Sequence, residues 1–192
     1  MSVTDLERWN TKYAAKSVPP VVSPDEWLVK QVAERTAGEA LELACGLGHN
    51  AIWLSQQGWR VDAVDVSPVG LGLAEQLANR VECQTVSWIA ADLDEFTPQI
   101  ETYDLVLVFR FLDRLRLPGL IVRALRPGGL LVYETFSRAQ MARDDNHLRS
   151  ADFTLAPGEL PLLFPELTVV DYDEIDLPDR SVARLAARKG DG

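Results

Sequence analysis

Leu41-Glu42-Leu43-Ala44-Cys45-Gly46-Leu47-Gly48-His49-Asn50-Ala51 is the stretch on which the reading of this chain turns. It reads as a short buried strand, a tight turn through Gly46 and Gly48, and a helix from about Ala51. Glycine at alternate positions accepts positive φ and carries no Cβ to block a ligand. Strand, glycine turn and helix in that order place a ligand over the carboxyl ends of the strands.

The same alternation continues outward. Arg60–Asp65 reads as a second strand, and Ser67-Pro68 opens a helix with Val69, Leu73 and Leu77 facing inward. Gln84–Ala90 reads as a third strand. Tyr103–Phe109 is nearly all apolar, as expected of a central strand buried on both faces. A helix over Leu117–Leu125 ends in the turn Arg126-Pro127-Gly128-Gly129, before a fifth strand at Leu130–Phe136. Leu167–Tyr172 and Ser181–Ala187 are joined so tightly that they pair antiparallel. Upstream, a helix over about Val3–Ala15 puts Leu6, Trp9, Asn10 and Tyr13 on one face, and Pro19-Pro20 breaks the chain. Ser23, Pro24 and Glu26 read as the cap and first turn of another helix. The expected fold is α/β: a three-layer, doubly wound, Rossmann-like sheet of seven strands, mostly parallel, with one antiparallel strand from the closing hairpin. The expected organisation is a single domain over 1–192, with 1–35 as an N-terminal helical cap and 137–160 as a loop on the substrate side.

Composition narrows the function classes. With 19 basic and 29 acidic residues among 192, the chain carries a formal charge of −10. That field disfavours nucleic acid and anionic membranes, so the expected partner is a small-molecule substrate, with the protein a monomer or dimer. Two cysteines without metal-ligand spacing, Cys45 and Cys83, predict neither a disulfide scaffold nor a metal site. With no secretory signal and no apolar run long enough to span a bilayer, the expected location is cytoplasmic.

Two cofactor classes compete for the glycine turn. Gly46-Leu47-Gly48-His49-Asn50-Ala51, with Asp65 at the end of the next strand, fits the dinucleotide fingerprint of an NAD(P)-dependent oxidoreductase. Glu42, just ahead of the turn, favours a cationic sulfonium or amine over a pyrophosphate. Asp92 ends the third strand, where a carboxylate suits an exocyclic adenine amine. The chain then closes on a hairpin and lacks a second nucleotide-binding half.

Glu42-Leu-Ala-Cys-Gly-Leu-Gly48, Val64-Asp-Val-Ser67, Ala91-Asp-Leu93, Tyr103-Asp104 and Leu125-Arg-Pro-Gly-Gly129 together resemble class I S-adenosylmethionine-dependent methyltransferases. Gly48–Leu54, Gly58, Val61–Asp65 and Trp9-Asn-Thr-Lys-Tyr13 resemble the small-molecule branch that includes tellurite-resistance methyltransferases. The resemblance implies S-adenosylmethionine as cofactor. It implies that Ala44, Cys45, Gly46 and Gly48 approach its methionine end, that Asp65 accepts from the ribose hydroxyls, and that Val66 packs on adenine. Asp92 would hold the adenine amine beside Leu93, with Ala91 and Asn50 also on the cofactor side and Phe109 and Arg110 near the methyl group. Ala44 stands where the family usually has glycine. Trp9 and Tyr13 read either as a cofactor lid or as plain packing, Glu42 as a cofactor contact or a helix partner, and Asp92 as a ligand contact or a turn cap. Arg114, Arg143 and His147 are the substrate-side candidates, for an acceptor that is a small molecule such as a soft thiol or chalcogen. A non-catalytic cofactor-binding module is the remaining alternative.

Overall fold

Strands at Glu39–Leu43 (β1), Arg60–Asp65 (β2), Val86–Ala90 (β3), Tyr103–Phe109 (β4), Leu125–Phe136 (β5), Leu167–Asp176 (β6) and Ser181–Lys189 (β7) form a seven-stranded sheet in the computed structural model. Helices lie at Val3–Ala14 (α1), Glu26–Val32 (α2), His49–Gln56 (α3), Pro68–Arg80 (α4), Leu117–Ala124 (α5) and Glu159–Leu162 (α6). The structure describes residues 3–83, 85–148 and 150–191. The strand order is β3-β2-β1-β4-β5-β7-β6. The expected mostly parallel sheet is present, with β7 antiparallel to both β5 and β6. Gln84, expected to begin the third strand, lies outside the described residues. The chain divides between Thr97 and Pro98 into two compact units.

In the first unit, β1 pairs with β2 and β2 with β3, all parallel. Residues Ala40–Leu43 are buried, the charged Glu42 among them. Helix α3 turns Ala51, Ile52 and Leu54 inward. The start of α2 differs from expectation: Asp25, not Ser23, caps it, accepting from the Trp27 N–H at 3.0 Å. Ser23 is held elsewhere, its N–H donating to His49 Nδ1 at 3.1 Å. The inner face of α4 is also rotated from the expected one. It comprises Gly70, Leu71, Ala74, Leu77 and Ala78, while Val69 is 37% exposed. Gly70 sets that face, since the Tyr13 ring packs directly on its Cα.

In the second unit, β4 pairs parallel with β5, which pairs with β7. Arg126–Gly129 lies inside β5 rather than in a separate turn. Tyr103 pairs with Leu125 and Leu105 with Leu130, so these residues are a register irregularity in a continuous strand. The Arg126 guanidinium pairs there with Asp104. Residues 138–142 and 151–153 form short 3-10 turns in the segment read as an irregular loop. Among the described residues, no helix is long and apolar enough to cross a membrane.

Candidate functional site

The glycine turn is held open by a succession of left-handed residues. Ala44, Gly46 and Gly48 have φ of 56°, 58° and 68°. Glycine takes this conformation freely, whereas in alanine the Cβ crowds the following carbonyl. Ala44 therefore keeps the backbone path that a glycine would take, at a local cost. The Cys45 N–H bonds the Val64 carbonyl at 3.0 Å, extending the ladder one residue past β1. The Gly46 N–H then donates to Asp65 Oδ2 at 2.8 Å, and the Gly48 N–H to the Cys45 carbonyl at 3.0 Å.

Two buried carboxylates lie beneath this loop. Glu42 is 3% exposed. It accepts from Asn50 Nδ2 at 3.1 Å and from the Ala51 N–H at 2.9 Å, which puts its charge at the α3 N-terminus. Backbone donors and the positive end of the helix dipole both stabilise a carboxylate there. Asn50 also accepts the Asp25 N–H at 2.9 Å, so it ties α2 to α3. Asp65 is 6% exposed and receives the N–H groups of Gly46 and, at 2.9 Å, Ser67. Burial pushes its carboxyl above the ordinary aspartate value, and the backbone N–H groups of Ser67, Gly46 and Val66 offset part of that rise. Burial, followed by the charges of Glu42 and Asp65, drives the Cys45 thiol well above its ordinary value. A thiol in that state is a small apolar contact, not a nucleophile.

Helix α1 closes over the loop. Tyr13 is buried, with its ring on Gly70 and its hydroxyl oxygen 2.8 Å from where a Cβ on Gly46 would stand. Trp9 stacks on Tyr13 at 5.7 Å between centroids. Ser67 donates its hydroxyl hydrogen to Asn10 Oδ1 at 2.6 Å, while its oxygen accepts the Gly70 N–H at 3.1 Å and caps α4. Trp9 and Tyr13 are thus packed together over the loop. The Ala91 N–H continues β3 onto the Asp65 carbonyl at 3.0 Å. Asp92 Oδ1 accepts the Asp94 N–H at 2.8 Å, so it does cap a turn, and Leu93 is buried beside it. Val66 is half-buried next to Asp65.

The first unit thus gathers Trp9, Tyr13, Glu42, Ala44, Cys45, Gly46, Gly48, Asn50, Asp65, Val66, Ala91, Asp92 and Leu93. Asn10 and Ser67, read from the sequence as a helix-face residue and a helix start, are joined here by a hydrogen bond between α1 and the start of α4. In the second unit Phe109 is buried at the end of β4. Arg110 follows with φ 58°, its N–H on the Glu134 carbonyl at 2.8 Å and its side chain exposed. The expected substrate-side residues have other partners. Arg114 pairs with Glu159 and donates to the carbonyls of Asp152 at 2.9 Å and Thr154 at 2.8 Å. Arg143 pairs with Asp145 at 2.7 Å and bonds the carbonyls of Leu177 and Pro178. His147 packs edge-on against Phe136 at 5.4 Å. No group of metal-binding side chains occurs among the described residues.

Residues 40–129 match the family model described as a methyltransferase domain. That match agrees with the resemblance to class I S-adenosylmethionine-dependent methyltransferases drawn from the sequence. It is similar to the probable S-adenosyl-L-methionine-dependent methyltransferase TehB of Haemophilus influenzae, at 26% identity over 71% of this chain and 48% of TehB. It is 32% identical to hemagglutinin 1 of Eikenella corrodens, over 71% of this chain and 46% of that protein. The chain spans about half the length of these curated relatives. A solved structure described for the conversion of a disulfide bond into a thioacetal group during echinomycin biosynthesis shares the fold. Its TM-score is 0.75 at 21% identity, covering 97% of this chain and 92% of that one.

Proposed function

We propose that this protein transfers a methyl group from S-adenosylmethionine to a small-molecule acceptor. The observation that carries this reading is the Glu42 carboxylate on the α3 N-terminus. A dinucleotide site presents that helix end to a pyrophosphate. Here a buried anion already takes the Ala51 N–H, and a second buried carboxylate, Asp65, lies under the same loop. This environment repels phosphate and favours a positively charged ligand.

The residues fit such a cofactor. Asp65 already receives the N–H groups of Gly46, Ser67 and Val66, and a carboxylate has about four acceptor sites. Capacity therefore remains for a ribose hydroxyl. Ala44–Gly48 offers a close backbone approach, and Val66, Asp92 and Leu93 would hold the adenine. When bound, the cofactor supplies an electrophilic methyl group and a neutral thioether leaving group. The protein then contributes orientation and exclusion of water.

The acceptor we favour is a soft nucleophile, a thiol or chalcogen, which reacts without a general base. Neither histidine is placed as one: His49 Nδ1 accepts the Ser23 N–H, and His147 lies on Phe136. The sulfur chemistry described for the echinomycin-pathway structure lends support. Calorimetric titration should show binding of S-adenosylmethionine and none of NAD or NADP; the reverse result overturns the reading. Methyl uptake should then be screened across thiol, selenite, tellurite and amine acceptors. Uptake by amines alone would remove the soft-nucleophile assignment.

A further inference from the structure

At the carboxyl end of β5 a buried polar atom lacks a partner. Thr135 is 1% exposed, and its Oγ1 makes no hydrogen bond among the described residues. An unpaired hydroxyl in such a place opposes folding, and valine fills the same shape in a strand without that penalty. The hydroxyl therefore calls for another explanation. Unbroken register with β7 from Leu130 to Phe136 puts Thr135 on the face of β5 that Tyr133 occupies, opposite to that of Glu134. On that face the Tyr133 hydroxyl donates to the Phe111 carbonyl at 3.0 Å and holds the segment that follows β4. Phe111, Leu112 and Asp113 are half-buried.

A cation stands level with this hydroxyl. Phe109 pairs with Glu134, and the Arg110 N–H bonds the Glu134 carbonyl at 2.8 Å. Arg110 is thus one step past the last registered pair, beside Thr135. Its backbone is left-handed, with φ 58°, which is uncommon outside glycine. Its side chain is exposed and makes no ion pair among the described residues, whereas Arg114, Arg126, Arg143, Arg180 and Arg184 all hold carboxylates. The acids close by in sequence are already engaged. Glu134 lies on the other face between Arg180 and Arg184, and Asp113 accepts the N–H groups of Leu115 and Arg116. A free hydroxyl donor and a guanidinium at the carboxyl ends of parallel strands, where α/β folds bind their ligands, suit an anionic oxygen. We propose that Thr135 and Arg110 bind a carboxylate on the methyl acceptor, the Thr135 hydroxyl donating to one oxygen and the guanidinium pairing with the charge. The inference rests on the small-molecule acceptor reading above and adds a chemical class to it, a thiol that bears a carboxylate.

Two thiols that differ at one end, 3-mercaptopropionate and its neutral amide, test this by calorimetric titration into protein saturated with S-adenosylhomocysteine. The wild-type protein should bind the carboxylate about tenfold more tightly than the amide. Thr135→Val should bring the carboxylate down to the affinity of the amide, whose own binding stays unchanged. Arg110→Asn should do the same, asparagine being chosen because it accepts positive φ. Thr135→Val should also melt no lower than wild type, since it removes an unpaired group. A lower melt with equal weakening of both thiols would mark the threonine as structural and overturn the proposal. So would equal binding of the two thiols by the wild-type protein, or binding of neither, and the cofactor reading would stand. Wild-type protein that fails to bind S-adenosylhomocysteine removes the methyl-transfer reading and this inference with it.

Discussion

Ala44 and Asp65 are the residues whose local chemistry has measurable consequences. Ala44 holds φ 56° where glycine would be unstrained. A left-handed alanine costs about 1–2 kcal/mol, and the extra freedom of glycine in the unfolded chain returns part of that. Ala44→Gly should therefore raise stability by about 0.5 kcal/mol in a denaturant titration. Asp65 has a carboxyl pKa raised by burial, so the folded protein binds its proton more readily than the unfolded chain does. Stability from this group is complete below the ordinary aspartate pKa and is lost as pH rises through the raised value. Cofactor binding has the opposite dependence, since the ribose hydroxyls need the ionised acceptor. Affinity should fall on acidification at a pH above the usual aspartate range, and Asp65→Asn should weaken binding and remove that pH dependence.

At the level of elements, α4 offers two glycines with opposite expectations. A methyl on Gly70 would stand 2.8 Å from the Tyr13 ring, whereas one on Gly72 would meet nothing within 4 Å. Gly72→Ala should stabilise the protein by about 0.5–1 kcal/mol through helix propensity. Gly70→Ala should destabilise it by about 1–3 kcal/mol by forcing α1 away from α4. Thermal melts of the two variants, moving in opposite directions, check both. In β5, Glu134 is wholly buried between Arg180, at 3.1 Å, and Arg184, at 2.8 Å. Glu134→Ala leaves two arginines without their shared carboxylate and should cost about 3–5 kcal/mol in unfolding free energy.

The strands were legible because runs such as Tyr103–Phe109 are apolar over their full length, and the glycine turn because few residues other than glycine tolerate its backbone. The errors came where distant groups decide local structure. Asp25 caps α2, while the backbone N–H of Ser23 is held by His49, 26 positions along the chain. Val69 faces out because Tyr13, from α1, rests on Gly70. Arg126–Gly129 has turn-forming residues and is skipped by the β4 register, while Leu125 and Leu130 on either side pair with Tyr103 and Leu105. For Arg114 and Arg143 the sequence gives the charge but not the carbonyls they hold. The placing of Glu42 was open for the same reason, since nothing local reveals that its carboxylate meets the end of α3.

For the whole molecule, the charge of −10 sets behaviour that no single contact does. Self-repulsion opposes the folded state and is screened as the Debye length falls from about 30 Å at 0.01 M salt to about 3 Å at 1 M. Melting temperature should rise across that range in sodium chloride, and a flat or falling profile would show that local ion pairs outweigh the net field. The contacts of Trp9 with Lys12 and Tyr13 have a spectroscopic consequence as well. An indole beneath a cation at a half-open rim emits differently from Trp59, which is only 2% exposed. Fluorescence from Trp9, isolated by a Trp9→Phe difference spectrum, therefore serves as a built-in optical gauge of what occupies the edge of the glycine loop.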